Sequence, residues 1–128
     1  MPKILISDAI DSIAEKILIS NNIDVDVKTD FTVEELIVKI EQYDGLIVRS
    51  ATKVTKEIIE SAKNLKIIGR AGAGVDNIDL VSAKEKKIIV MNTPGGNTNA
   101  TAEHTLALLM SLSRKISQAD SSTHQGAW

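Results

Sequence analysis

Two arginines directly follow apolar runs of the sequence, so their side chains could meet at one edge of a sheet. Arg49 comes after residues 45–48 (GLIV), and Arg70 comes after residues 66–69 (KIIG). In an open parallel sheet, ligands bind beyond the carboxyl ends of the strands. A guanidinium group offers planar, permanently charged donors for phosphate or carboxylate, and two such groups repel unless an anion lies between them. The pair therefore predicts an anion site, with surface ion pairs as the alternative.

Glycine-rich segments accompany these arginines. Residues 72–77 (GAGVDN) follow the second arginine, and residues 95–97 (GGN) precede the last predicted helix. Glycines let backbone N–H groups approach a ligand, and the start of a helix attracts anions. The candidate binding residues are Arg49, Ser50, Arg70, Gly72 and Asn97.

The segment 72–77 is not a complete dinucleotide fingerprint. Asn77 stands where the third glycine belongs, the segment follows the fourth predicted strand, and no acidic residue lies about 20 positions further on. Two other ligands of such sheets are also excluded. Arg49 occupies the place of a phosphoacceptor aspartate, and residues 7–11 (SDAID) do not form a flavin phosphate loop.

The two histidines offer little catalytic chemistry. His104 lies beside Glu103, and neighbours on a helix point about 100° apart, so the two do not form a ready pair. We expect His104 to be a buried structural residue and His124 to be solvated. Near the start of the helix, the Glu103 carboxylate interacts favourably with the helix dipole; alternatively, it orients Arg70 or a loop amide. The sequence predicts no catalytic residue and no metal site.

Composition limits the class of protein. The chain has 128 residues, no cysteine, and 15 basic against 17 acidic residues, so its formal net charge is −2. This length suits one domain with a real core, and the lack of cysteine excludes disulfides and thiolate metal sites. The charge balance argues against a nucleic-acid partner, and the apolar runs are too short to span a membrane. The start of the chain has no secretory signal, so we expect a cytoplasmic protein.

Short clusters of isoleucine, valine and leucine predict strands at residues 3–7, 24–28, 45–48, 66–69 and 87–91. Four are continuous apolar runs, typical of strands buried on both faces, whereas the second alternates and is typical of an edge strand. Helices are predicted at residues 10–20, 32–40, 55–62 and 80–84, and Thr32 and Thr55 are their predicted caps. The alternation predicts an α/β fold, a flavodoxin-like five-stranded parallel sheet in the order 2-1-3-4-5 with flanking helices.

The last predicted helix, residues 100–116, is apolar around its whole circumference. Such a helix needs cover on more than one face, and a sheet covers only one. We therefore expect a further domain, a second copy of the chain, or both to pack on it, and we expect a homo-oligomer formed through this helix. The alternative is a helix enclosed within this domain. Residues 117–128 are small and polar and are interpreted as a linker.

Three segments resemble the D-isomer-specific 2-hydroxyacid dehydrogenases, namely residues 45–54 (GLIVRSATKV), 69–79 (GRAGAGVDNID) and 90–97 (VMNTPGGN). The resemblance runs from Lys3 to Trp128. It implies a substrate-binding domain at residues 1–97. It further implies, at residues 98–128, a crossover helix and a linker toward a Rossmann NAD-binding domain that the chain lacks.

Within that family, the segments are most similar to members that oxidise 3-phosphoglycerate with NAD in the first step of serine synthesis. The resemblance implies that Arg49, Arg70 and Asn97 contact the substrate, largely its phosphate, and that Ala73 lies near the nicotinamide. The family's catalytic arginine, glutamate and histidine lie beyond Trp128, which implies a chain that is not catalytic alone. Two alternatives stay open: a sister dehydrogenase for another 2-oxo acid, and a non-catalytic anion-binding or dimerisation module.

Overall fold

The computed structural model describes residues 1–127 and contains the strands β1 (Lys3–Ile6), β2 (Asp24–Val27), β3 (Gly45–Val48), β4 (Ile67–Arg70) and β5 (Ile89–Met91). All neighbouring strands pair in parallel, in the order β2-β1-β3-β4-β5. The predicted fold class and strand order are confirmed, and β2 lies at an edge of the sheet. Trp128, the last residue of the predicted linker, lies outside the described residues.

Within the same residues, the helices are α1 (Ile13–Ser20), α2 (Val33–Lys39), α3 (Lys56–Ser61), α4 (Leu80–Glu85), α5 (Thr98–Ser113) and α6 (Ile116–His124). A 3₁₀ turn at Ile40–Gln42 extends α2. The sequence predicts the first helix from residue 10, but it begins at Ile13. At its start, the Asp11 carboxylate accepts the Ile13 amide at 2.9 Å.

The two predicted N-caps behave differently. Thr32 Oγ1 accepts the Glu35 amide at 3.2 Å, and the Glu35 carboxylate accepts the Thr32 amide at 2.9 Å. This reciprocal pair is a capping box, which confirms the prediction for α2. Thr55 occupies the N-cap position of α3 with extended backbone, as predicted, but its side chain makes no capping hydrogen bond.

The hydrophobic core lies between one face of the sheet and a layer formed by α2, α3 and α4. Alternate strand residues enter this core, and their helical partners are fully buried as well. The side chains at its centre are those of Leu5, Leu46, Val48, Ile68, Ile40, Ile58 and Ile59. Because side chains alternate along a strand, burial of this set fixes the register that brings the carboxyl ends of the strands to one edge.

The opposite face of the sheet is only partly covered. Ala14 and Leu18 of α1 line an apolar groove there together with Ile47 and Met91. α1 packs against β2, at the other end of the sheet from β5. Met91 is consequently 54% exposed and Ile89 is 61% exposed. The expectation of burial on both faces is therefore wrong for β5.

The chain divides into two compact units, the first Met1–Pro94 and the second beginning at Gly95. The second unit contains α5 and α6. Lys115 has a left-handed backbone with φ of 51° and separates the two helices, so the predicted helix 100–116 ends early. Residues 117–124 of the interpreted linker belong to α6 and are therefore helical. Small polar residues occur both in irregular linkers and on exposed helices. In α6, the Thr123 hydroxyl donates to the Ala119 carbonyl one turn earlier.

No residue of α5 is buried, so the alternative of a helix enclosed within the domain is not what the structure shows. Its apolar side chains are between 57% and 79% exposed, and they are Leu106, Leu108, Leu109, Met110 and Leu112. Among residues 1–127, we find no helix with both the length and the apolar character needed to cross a membrane.

Candidate functional site

A buried aspartate organises the loop that follows β3, residues 49–52, which we call the Arg49 loop. Asp8 stands two residues after β1 and is 4% exposed. Its carboxylate accepts the amides of Arg49, Ala51 and Thr52 at 2.6–3.2 Å and the Thr52 hydroxyl at 2.5 Å. β1 and β3 are parallel neighbours, so their carboxyl ends place Asp8 beside the loop. Three of the loop's N–H groups are thus directed at an internal anion.

The surroundings of Asp8 keep it ionised. Burial raises the pKa of a carboxyl group, because a charge is costly away from water. The hydrogen bonds from Thr52, Arg49 and Ala51 outweigh this effect, and the pKa of Asp8 lies below its usual value. An ionised carboxylate only accepts hydrogen bonds, which matches the donors that surround it.

The structure brings Arg49 and Arg70 to neighbouring positions at the edge of the sheet. The register pairs Val48 with Arg70, and Arg70 Nε donates to the Arg49 carbonyl at 3.0 Å. Asn77 Nδ2 donates to the same carbonyl, also at 3.0 Å. Hydrogen bonds therefore fix the peptide groups on both sides of Arg49, while its side chain is exposed.

Arg70 forms an ion pair with Asp76, in which Nη1 lies 3.0 Å from Oδ1. The Arg70 side chain is 13% exposed, whereas the Asp76 side chain is 84% exposed. The ion-pair alternative thus holds for Arg70, while Arg49 has no such pair within the described residues 1–127. Because Asp76 faces water, an incoming anion can compete with it for the guanidinium group.

The glycines beside Arg70 leave room for its side chain. A Cβ at Gly74 would lie 3.0 Å from both Arg70 Nη1 and Asp76 Oδ1, and a Cβ at Gly72 would lie 3.4 Å from Arg70 Nε. The Gly72 amide donates to the Arg70 carbonyl at 2.9 Å, so it is already engaged. The small size of Gly74 therefore leaves room for the arginine, whereas a Cβ at Gly72 would make only an ordinary van der Waals contact.

The remaining candidate residues of the first unit are exposed. Ser50 stands between Arg49 and Ala51 in the Arg49 loop, and its amide does not donate to Asp8. Ala73 is exposed, and its carbonyl accepts Asn92 Nδ2 at 2.7 Å. Its methyl group can offer a cofactor only a van der Waals contact.

Asn97 belongs to the second unit. It occupies the N-cap position of α5, where its side chain makes no capping hydrogen bond, and it is exposed. Its contribution to the anion site stays a prediction. His104 is exposed on α5, so the expectation of a buried structural histidine is wrong. His124 is exposed, as expected, and lies 3.4 Å from the Asp120 carboxylate.

Segment 72–77 does not fit the pyrophosphate of a dinucleotide. The helix that follows segment 72–77 is α4, which begins only at Leu80. Its amino end is already capped, because the Asp79 carboxylate accepts the Ser82 amide at 3.1 Å. A carboxylate there repels a phosphate group. Residues 1–127 also hold no cluster of three or more histidine, aspartate or glutamate side chains suited to a metal ion.

Comparison with known proteins decides the family. The family described as "D-isomer specific 2-hydroxyacid dehydrogenase, catalytic domain" matches residues 4–127. The chain belongs to the D-isomer-specific 2-hydroxyacid dehydrogenases. A D-3-phosphoglycerate dehydrogenase of Archaeoglobus fulgidus is 50% identical to it over 126 residues, which cover 98% of this chain and 24% of that relative. The chain thus spans about a quarter of the length of the curated dehydrogenases it matches.

Two solved structures of similar proteins share the fold. The NAD⁺-bound 3-phosphoglycerate dehydrogenase of Entamoeba histolytica has a TM-score of 0.74 at 38% identity, covering 86% of this chain and 38% of that one. The acyclic imino acid reductase Bsp5, in complex with NADPH and D-Arg, has a TM-score of 0.83 at 35% identity, covering 97% of this chain and 41% of that one. These two similar proteins therefore act on different classes of substrate.

Three polar residues of this site were not assigned a role by sequence reasoning. Asp8 follows a buried central strand, and that position at the ligand edge is a usable signal. Asp76 and Asn77 lie within the glycine-rich segment beside Arg70, and only the folded loop shows which backbone and side-chain groups they reach. The sequence places these residues at the edge of the sheet without giving the direction of their side chains.

Proposed function

We propose that this chain is the substrate-binding portion of an NAD-dependent enzyme that oxidises 3-phosphoglycerate to 3-phosphohydroxypyruvate, the first step of serine synthesis. The observation that carries the proposal is the pair of arginines at the ends of β3 and β4, joined through the Arg49 carbonyl at 3.0 Å. The 50% identity with a D-3-phosphoglycerate dehydrogenase supports the same substrate.

The charge of the substrate favours two arginines. 3-Phosphoglycerate carries a phosphate and a carboxylate, so two guanidinium groups can each form charge-assisted hydrogen bonds with it. A simple 2-hydroxy acid such as lactate carries one negative charge and requires one such partner. We assign Arg49, Ser50 and Arg70 to the substrate side of the site. Gly72 follows Arg70 by two residues, and its amide donates to the Arg70 carbonyl at 2.9 Å.

Turnover belongs to the longer protein in this proposal. NAD, when bound in the complete enzyme, would accept the hydride that leaves C2 of the substrate, and Ala73 would lie near its nicotinamide ring. Hydride transfer requires the cofactor and the substrate to be held together, and segment 72–77 does not supply the phosphate turn of a dinucleotide site. The 128-residue chain should therefore form no NADH from 3-phosphoglycerate, and formation of NADH by the pure chain would contradict this.

Amide chemical-shift titration of the chain with 3-phosphoglycerate tests the binding role, with lactate as the phosphate-free ligand. We expect a dissociation constant of the order of millimolar, about −4 kcal/mol. Arg49→Ala and Arg70→Ala should each remove about 1–3 kcal/mol, the range of a charged hydrogen bond. The corresponding lysine variants should rescue binding only in part, because the planar fork of donors is lost.

Lys84→Ala is the matched control, since it removes one exposed positive charge near the carboxyl end of α4. It should leave the affinity for 3-phosphoglycerate within about twofold. Equal shifts with lactate and 3-phosphoglycerate would show that the arginines do not select a phosphate. Shifts that survive the double change Arg49→Ala/Arg70→Ala would show that the anion binds elsewhere.

One competing function has specific support. The similar fold of an acyclic imino acid reductase, at 35% identity, favours a sister enzyme that acts on a substrate without phosphate. In that case lactate or a longer 2-hydroxy acid should shift the amides of the Arg49 loop as strongly as 3-phosphoglycerate. The same titration therefore separates the two functions. A non-catalytic anion-binding or dimerisation module is the further alternative, and the turnover of the complete protein distinguishes it.

A further inference from the structure

Asp8 contacts the Arg49 loop from the side of the core. Its two carboxylate oxygens together accept three backbone amides and one hydroxyl of the loop, and Asp8 itself is 4% exposed. The shortest of the amide contacts, at 2.6 Å, comes from Arg49. The loop that carries one of the two arginines is thus built around a buried negative charge rather than around its own hydrogen bonds.

The contacts on the two sides of Arg49 are complementary. Its amide donates to Asp8, and its carbonyl accepts Arg70 Nε and Asn77 Nδ2, both at 3.0 Å. The backbone from which the Arg49 guanidinium projects is therefore held from both sides. A carboxylate offers acceptors at both oxygen positions, whereas an asparagine accepts at only one of them and carries no charge, so it would lose part of these contacts.

We infer that Asp8 is a positioning residue for substrate binding, which holds the Arg49 loop in the form that places the Arg49 guanidinium beside Arg70. This inference rests on the proposed function. Asp8 does not touch the substrate in this scheme, since its oxygens are occupied by the loop. Its effect on binding passes through Arg49, because a loop free to move would lose entropy each time the anion is captured.

Asp44 provides a matched control. Its carboxylate accepts the Lys3 amide at 2.9 Å and binds Lys66 Nζ at 2.8 Å, so it also joins neighbouring strands through a backbone amide. It lies at the amino end of β3, the opposite edge of the sheet from the Arg49 loop. Asp44→Asn therefore removes a comparable structural contact without changing the site.

The experiment compares the 128-residue chain with its Asp8→Asn and Asp44→Asn variants. Amide hydrogen exchange without ligand reports the loop itself, and shift titration with 3-phosphoglycerate reports binding. In Asp8→Asn, we expect the amides of Arg49, Ala51 and Thr52 to exchange about tenfold faster, and the affinity to fall about tenfold. In Asp44→Asn, both quantities should stay within about twofold of the original chain.

If Asp8→Asn does not fold, a second pair of variants tests the positioning role of Asp8. Thr52→Val removes the hydroxyl that donates to Asp8 at 2.5 Å and keeps the carboxylate, whereas Thr52→Ser keeps the hydroxyl. We expect Thr52→Val to weaken 3-phosphoglycerate binding about threefold and Thr52→Ser to restore it. Equal affinities for these two folded variants would overturn the positioning role.

The outcomes separate this inference from the proposed function. If the unchanged chain binds 3-phosphoglycerate and folded Asp8→Asn binds it equally well, the positioning role is overturned and the proposed function stands. If the unchanged chain shows no saturable shift with 3-phosphoglycerate, the proposed function fails and the positioning role fails with it. Loss of affinity in Asp8→Asn with unchanged affinity in Asp44→Asn supports both.

Discussion

Among single residues, Asp76 is the ion-pair partner with which an anion would compete for Arg70. Its carboxylate lies 3.0 Å from Arg70 Nη1 and is largely exposed, so the ion pair is screened by water and worth little by itself. An anionic substrate must nevertheless displace or share this partner. Asp76 therefore weakens the binding of any anion at Arg70 while it keeps the guanidinium group in place.

Replacing Asp76 by asparagine should strengthen the binding of 3-phosphoglycerate. We expect Asp76→Asn to lower the dissociation constant about two- to fivefold at low ionic strength, because a competing negative charge is removed. The gain should shrink as salt is added, and shift titration at two salt concentrations measures both effects. Asp24→Asn removes the same charge at the amino end of β2 and should change the affinity much less. Weaker binding by Asp76→Asn would mean that Asp76 mainly orders Arg70.

The sequence predicts the positions of the residues at this site better than their contacts. Arg49 and Arg70 follow apolar runs, and the parallel register does place them at neighbouring strand ends. The contacts of Asp8 could not be predicted in the same way, because they depend on how the Arg49 loop folds back over β1. His104 illustrates the opposite error, since its apolar neighbours on α5 predicted burial and the helix is exposed.

At the level of elements, the caps of α2 and α3 offer a direct comparison. Thr32 and Thr55 stand at equivalent N-cap positions, but only Thr32 accepts a backbone amide. The Thr55 hydroxyl is buried without a hydrogen-bond partner among residues 1–127, which costs stability. The Thr32 hydroxyl therefore stabilises the start of α2, whereas the Thr55 hydroxyl at the start of α3 costs stability.

Valine at each of these positions should separate the two roles. Thr32→Val should lower the free energy of unfolding by about 1 kcal/mol, because the cap of α2 is lost. Thr55→Val should leave that free energy unchanged or raise it by about 1 kcal/mol, since an unpaired buried hydroxyl becomes a methyl group. Urea unfolding followed by circular dichroism measures both variants. Equal losses at the two positions would show that Thr55 also caps its helix in solution.

The strands show what periodicity can and cannot predict. Three of the four continuous runs form the central strands β1, β3 and β4, whereas the fourth forms β5 at the second edge of the sheet. The alternating run correctly predicts the edge strand β2. Burial on both faces requires a second layer, and a strand sequence does not say which segment supplies it. Ile89 and Met91 of β5 are therefore apolar, as expected of a doubly covered strand, and yet exposed in this chain.

At the scale of the whole molecule, the exposed apolar side chains of the described residues include Ile89 and Met91 on the open face of the sheet in the first unit. They also include five large apolar side chains of α5 in the second unit. The relatives that this chain matches are about four times longer, since the match covers 24% of their length. Composition indicates that α5 needs cover, but it does not distinguish a further domain from a second copy. In a solution of the isolated chain, only another copy of the same chain can bury the apolar side chains of α5.

The isolated chain should therefore associate with itself through α5. Leu108 and Leu112 lie four residues apart on one side of the helix and are at least 57% exposed, so a second copy can bury them. We expect sedimentation at tens of micromolar to show dimers or larger species, and Leu108→Glu/Leu112→Glu to shift the chain toward monomer. Gln118→Glu/Ser121→Glu adds the same charge on the polar helix α6 and should leave the association unchanged. A monomeric unchanged chain would place the missing cover of α5 in another domain rather than in a second copy.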